Sequence, residues 1–219
     1  MPAADDALRA LLAAAAAGRH PPPDGAVTVL PPPSGHLDAV LGFTAHHVVA
    51  ADVDEAWVRG HLHPDDLAGP MRAHFLAALG DALAAEPGSL DVVLAAIGEG
   101  RAPEGLRELV DDEHPRVERA RRWRDDVRVF ATPDDVGVLT LGAGLAGRLE
   151  AAEVRPDHRG AGLGRALATA ARTLAPRGEP VFMQTAPGNA ASLRAILAAG
   201  FRPIGSEVLL LRRGSERGD

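Results

Sequence analysis

The chain has 219 residues, 46% of them hydrophobic and 24% charged, with a formal net charge of −7. It contains no cysteine, tyrosine or lysine, so all 23 basic residues are arginine. That excludes thiol nucleophiles, disulfides, cysteine-bound metals, lysine Schiff bases and tyrosine acids. Carboxylates, nine histidines, a few hydroxyls, arginines and the backbone remain for any chemistry.

Asp5 and Asp6 precede the apolar run Ala10–Ala17. A secretory leader is basic, so this start reads as an alanine-rich helix ending near Gly18. No apolar stretch approaches the roughly 18 residues of a membrane span. The expectation is a cytoplasmic protein with no membrane association, and the arginine-only, alanine-rich composition points to a GC-rich bacterial genome. Proline triplets at 21–23 and 31–33 bracket Val27–Leu30, an edge strand. Leu37–Val53 is apolar around His46 and His47, and a helical stretch runs through Trp57, Val58 and Leu62. Leu67–Ala85 has apolar residues at 71, 75, 76, 79 and 83, which is helical spacing. Leu90–Ile97 reads as a buried strand, and Gly98–Gly105 as a linker.

The linker divides an N-terminal α/β portion, 1–98, from a second domain, 99–219. In that domain strands are expected at Leu106–Val110, Val127–Thr132, Val136–Leu141, Leu149–Val154, Val181–Thr185, Phe201–Ile204 and Glu207–Leu211. Helices are expected at Pro115–Trp123, Leu163–Leu174 and Asn189–Ala199, and a hairpin turn at Asp134-Asp135. Strands mixed with helices give an α/β class with a mixed, α+β-like sheet. Residues 1–147 hold 12 arginines against 23 acids, net −11, and residues 148–219 hold 11 against 7, net +4. A basic C-terminal part suits an anionic ligand, and an acidic remainder suits a cationic one or simply keeps the chain soluble.

The sharpest local feature is Val154-Arg155-Pro156-Asp157-His158-Arg159-Gly160-Ala161-Gly162-Leu163-Gly164-Arg165. A strand enters, Pro156 ends it, and three glycines in five residues open into a helix. Without side chains to hold a ligand off, first-turn amides at the positive end of the helix make an anion site. Arg159 and Arg165 can add charge-assisted hydrogen bonds. A Walker A loop is excluded by the missing lysine. A dinucleotide fingerprint fits poorly, because Gly160, Gly162 and Gly164 place the third glycine one residue early. R-x-x-G-x-G is met by Arg159, Gly162 and Gly164.

With its flanks LEAAEVRPDHRGAGLGRAL, this stretch resembles the acetyl-CoA-binding motif of the GNAT superfamily of N-acetyltransferases. Asn189 with Gly200-Phe201 eleven and twelve residues later resembles that family's second motif. The likeness covers about 125–212, and 1–98 is left as a cover over the acceptor site or a degenerate half-copy of the fold. The resemblance implies a GNAT-like acyltransferase fold with an N-terminal α/β extension, and acetyl-CoA as co-substrate without a metal. It implies that Arg159 and the amides of Gly160, Ala161, Gly162, Leu163 and Gly164 hold the pyrophosphate. The backbone near Glu153 and Val154 would pair with the pantetheine arm, and Asn189, also a good N-cap, would bond its amide.

Direct transfer of the acetyl group to a primary amine needs a base. Glu150 is the first candidate and Glu153 the second, with pairing to Arg148 or Arg155 the structural alternative for either. Many relatives carry a leaving-group tyrosine where this chain has Ile196, so the thiolate leaves unaided or with solvent or Ser192 as donor. The alternative to an enzyme is a catalytically weak CoA-binding sensor or interaction module. The acceptor is a small-molecule or peptide amine, cationic if the acidic portion selects it, and the protein acts as a monomer or homodimer.

His61 and His63 would share a face of a strand, His46 and His47 would not, and no third ligand follows at a metal spacing. Six arginines in 116–128 are interrupted by Glu118, Asp125 and Asp126. They read as a salt-bridged helix face rather than a nucleic-acid surface.

Overall fold

The computed structural model describes residues 2–102, 104–109, 115–154 and 162–213, with the backbone alone for 2–4, 115, 116 and 152–154. Among the described residues the fold is mixed α/β, with six α-helices and ten strands. Two compact units form, one reaching Val92 and resuming at Ile204, the other Val93–Pro203. Compactness therefore divides the chain six residues before the boundary expected at 98, and the last strand belongs mainly to the first unit. No described helix is long and apolar enough to cross a membrane.

The first unit contains α1 (Pro2–Ala16), β1 (Val27–Leu30), β2 (Leu37–Phe43), β3 (His46–Ala50), α2 (Glu55–Gly60), α3 (Ala73–Leu83) and the start of β4 (Ala85–Ile97). β10 (Arg202–Arg212) completes it. α1 buries Leu8, Leu12 and Ala15, one face of a helix, and Gly18 follows at φ +81°. The strands lie in the order β1, β3, β2, β10. β1 is the expected edge strand, parallel to β3, while β2 is antiparallel to both β3 and β10. β2 and β3 are almost wholly buried, which explains why Leu37–Val53 reads as a continuous apolar run. Val40, Val49 and Leu210 meet Val58, Phe75 and Leu79 from the helices in one core.

Asp54 caps α2, its carboxylate accepting from the Trp57 amide at 2.7 Å. His61 ends that helix and stacks on Trp57 at 4.0 Å, so His61 and His63 do not share a strand face as expected. His46 lies on β3, its ring bonded to Asp24 Oδ1 at 2.8 Å and to Thr28 Oγ1 at 3.1 Å. The helix expected over Leu67–Ala85 is shorter. A 3-10 turn at Gly69–Met71 precedes it, and Ala84 stops it at φ +49°. Asp38, fully buried, receives the Arg212 guanidinium at 2.8 Å, tying β10 to β2.

The second unit takes the rest of β4, then β5 (Arg107–Leu109), α4 (Pro115–Trp123), β6 (Asp125–Ala131), β7 (Val138–Ala143), β8 (Leu149–Val154), α5 (Leu163–Leu174), β9 (Pro180–Thr185) and α6 (Ala190–Ala198). Its strand order is β4, β9, β8, β7, β6, β5. β8 is parallel to β9, and β7 is antiparallel to β6 and β8. The Asp134-Asp135 turn forms as expected, closed by the Thr132 amide on the Gly137 carbonyl at 2.9 Å. α4 packs through Val117 on Val129 and Val138. α5 covers the other face, where Leu163 and Leu167 approach Gly137. The two strands expected at Phe201–Ile204 and Glu207–Leu211 are one, β10.

Gly98–Gly105 is not a free linker at its start. The amides of Glu99, Gly100 and Arg101 donate to the carbonyls of Arg172, Ala175 and Thr173 at 3.0, 2.8 and 2.9 Å. These carbonyls close the end of α5, where a helix lacks its own partners. Gly98 sits so close to the Pro176 carbonyl that no Cβ fits. The Glu99 carboxylate pairs with Arg101 and Arg172, which hold its pKa at about 2.

Two outcomes follow from these ion pairs. Asp38→Ala leaves Arg212 without its buried partner and should lower stability by about 3 kcal/mol in urea denaturation. The folded-state pKa of Glu99 lies below the ordinary 4.5, so its contribution is present above that value and fades as pH falls toward 2. Melting temperatures should therefore drop more steeply over that window in the wild type than in Glu99→Gln.

Candidate active site

β8 spans Leu149–Val154 as its sequence predicts. On one side it pairs with β7 along its whole length, from Leu149 opposite Ala143 to Val154 opposite Val138. On the other, the parallel ladder with β9 covers Leu149 opposite Val181, Glu150 opposite Phe182 and Ala151 opposite Met183. Among the described residues no pairing between the two strands continues beyond that pair, which leaves the edge of residues 152–154 away from β7 without β9. Such an edge offers backbone groups to an extended ligand. Glu153 and Val154 lie on it, as backbone.

Arg159, Gly160 and Ala161 lie outside the described residues. Gly162 is the N-cap of α5 at φ +79°, a conformation that favours glycine, and nothing lies within 4 Å of where its Cβ would stand. α5 begins at Leu163 as expected, with no side-chain cap. Its ladder begins with the Ala166 amide on the Gly162 carbonyl at 3.1 Å. The amides of Leu163, Gly164 and Arg165 come before that bond, at the positive end of a 12-residue helix.

Asn189 caps α6, its side-chain oxygen accepting from the Ser192 amide at 3.2 Å. Asn189 is exposed and Ser192 half-buried. Ile196 is buried, so the place where relatives carry an acid is core in this chain.

Glu150 occupies an environment its sequence did not announce. It is 1% exposed. Arg124 Nε donates to its Oε2 at 2.8 Å, Arg148 Nε to its Oε1 at 2.7 Å, and the Leu145 amide to Oε1 at 3.3 Å. The carboxyl fills the space over Gly144, where any Cβ would overlap it. Arg148 also stands over the Phe182 ring, 5.4 Å from its centroid. Burial alone raises the Glu150 pKa, but the Arg148 and Arg124 charges, with the hydrogen bond from Arg148, outweigh it and lower it. A carboxylate so held is a poor proton acceptor. Of the two readings offered for Glu150, general base or partner of an arginine, the pairing with Arg148 is present in the structure.

Two residues in this cluster escaped the sequence reading. Arg124 was grouped with the exposed arginines of α4, and Gln184 carried no signal. The available clue was Gly142-Ala143-Gly144 facing a glutamate, since glycines opposite a strand carboxylate leave room for a buried ion pair.

Residues 142–209 match the model of a GNAT-related family described as FR47-like protein. Among solved structures, the chain is similar to a GNAT-family protein from Novosphingobium aromaticivorans DSM 12444, at 18% identity and a TM-score of 0.39 over 58% of this chain and 67% of that one. It is also similar to GCN5-related N-acetyltransferases from Sphaerobacter thermophilus and Kribbella flavida. The first is 17% identical with a TM-score of 0.37, over 63% of this chain and 56% of that one. The second is 20% identical with a TM-score of 0.37, over 64% of each. The chain thus spans less than two thirds of the length of these last two. No curated protein matches the chain.

Replacing Glu150 by Gln would leave two buried guanidiniums around a neutral amide. Stability should fall by about 3 kcal/mol, measured by urea denaturation with no ligand present.

Proposed function

With residues 142–209 matching the FR47-like family model, we propose that the protein is an acetyl-CoA-dependent N-acetyltransferase of the GNAT type acting on a primary amine. The observation that carries this reading is the fork. The β8–β9 ladder stops at Ala151 and Met183, and β8 then leads through the glycine turn into the uncapped start of α5. An extended pantetheine arm fits the free edge of residues 152–154 as an added strand. Its pyrophosphate fits the amides of Gly162, Leu163 and Gly164, joined by Arg159, Gly160 and Ala161 of the same turn. Gly162 leaves that approach open.

Asn189 spends its side-chain oxygen on the helix cap, which leaves its amide nitrogen as the donor toward the arm. In the reaction the amine nitrogen attacks the thioester carbonyl, a C–N bond forms and the C–S bond breaks. The amine's proton needs a base, and with Glu150 gripped on both oxygens we assign it to Glu153, the second carboxylate of β8. The departing thiolate takes its proton from solvent, because Ile196 supplies none. The acidic balance of residues 1–147 favours a cationic amine as acceptor.

A second reading is favoured by one specific pair of observations. Ile196 is buried where an acid would serve, and Glu150 is held ionised. Both suit a protein that binds CoA and turns over slowly, as a sensor or interaction module.

Calorimetry separates the donor classes first. CoA and acetyl-CoA should bind and NAD and NADP should not; binding of NAD without CoA would sink the donor assignment. A thiol-release assay with an amine panel then decides between the two readings. Glu153→Gln should lower kcat by roughly 100-fold with the CoA affinity retained. Unchanged turnover would remove Glu153 as the base, and no release above background by the wild type would favour the binding module.

A further inference from the structure

The Arg124 guanidinium touches both strands of the fork. The inference drawn from it deepens the donor-site reading and rests on that reading. Nε donates to Glu150 on β8 at 2.8 Å, and Nη2 donates to Gln184 on β9 at 3.3 Å. Glu150 stands in the middle pair of the parallel ladder, whose last pair is Ala151 with Met183. Gln184 is therefore the first β9 residue beyond it. The guanidinium thus reaches from the middle pair of the ladder, across the last one, to the first β9 residue beyond it.

We infer that Arg124 is a positioning residue that fixes the register at which β8 and β9 separate, and with it the depth at which a thioester lying in the fork is held.

Arg124 and the β8 end of the bridge are themselves anchored. The Arg124 amide still donates to the Ala120 carbonyl at 2.9 Å, so its backbone continues the end of α4. The Glu150 carboxylate cannot follow a shift, being held by Arg148 Nε at 2.7 Å and pressed over Gly144. Gly142, the β7 partner of Glu150, leaves the room that the Arg124 side chain uses; a Cβ there would stand 3.2 Å from the Cβ of Arg124. The Arg124 side chain is 11% exposed. A surface ion pair at such a helix end would contribute little and would not need this enclosure. The planar fork of an arginine reaches two acceptors at once, whereas an ammonium at the same site is a single point charge.

The test compares Arg124→Lys and Gln184→Leu with the wild type, first without ligand. Hydrogen exchange at the Gln184 and Thr185 amides should change at least about tenfold in both variants, and melting temperature should stay near wild type in Arg124→Lys. With acetyl-CoA and an accepted amine, kcat should fall about 100-fold, the scale of an ångström's misplacement, while calorimetric affinity for CoA changes less than about threefold. Wild-type exchange together with wild-type kcat in Arg124→Lys would overturn the inference, as would equal losses of kcat and CoA affinity. If the wild type binds no CoA, the donor-site reading fails. The exchange comparison on the ligand-free chains then still decides whether Arg124 sets the point of separation. Should Arg124→Lys fail to fold, Gln184→Leu removes only the β9 end of the bridge and carries the test alone.

Discussion

Taking an ionised carboxylate out of water costs several kcal/mol, and Glu150 bears that cost only because two guanidiniums and a backbone amide close around it. The arrangement constrains everything near it. Residue 144 must lack a side chain, Arg148 must reach from the residue before β8 to Glu150, and α4 must end where Arg124 can reach the same carboxylate. β8 is thereby pinned to β7, α4 and β9 at one end of the strand. Its other end is left with a partner on one side only.

That contrast divides the second unit into a rigid part and a receptive part. At the rigid part, buried charges are matched and solvent is excluded, so the local dielectric strengthens each contact. The receptive part consists of groups with nothing to bond within their own element: a strand edge and the first amides of α5. Under the proposed function, a phosphate-bearing ligand would supply bonds for those amides, and with no lysine in the chain the glycine backbone and arginine would hold it.

Local signals carried the elements whose ends are set locally. β8 and α5 fall on the predicted residues because Pro156 and the glycines mark the break between them, and α4 because Pro115 opens it. Asn189 was legible as a cap for the same reason. The errors lie where a distant partner decides. Gly98–Arg101 looked like a linker because glycine and charge dominate it, yet its amides complete the last turn of a helix some 75 residues on. His61 and His63 alternate like strand residues, but Asp54 starts a helix just before them. Glu150 matched a familiar position on a strand, but one of the two guanidiniums that grip it belongs to Arg124, 26 residues away, which no spacing rule connects to it.

The return of β10 to the first unit bears on how the chain is made. β2 has β3 beside it early, but its other neighbour and the counter-charge of Asp38 arrive from 174 residues later. During synthesis the first unit therefore lacks one neighbour of β2 and the partner of Asp38 until Arg212 has emerged. Folding in order of synthesis is unavailable to it, and closure of so long a loop places this pairing among the slow, late steps. The proline triplets that flank the short edge strand β1 leave β2 as the strand most in need of protection in the interval.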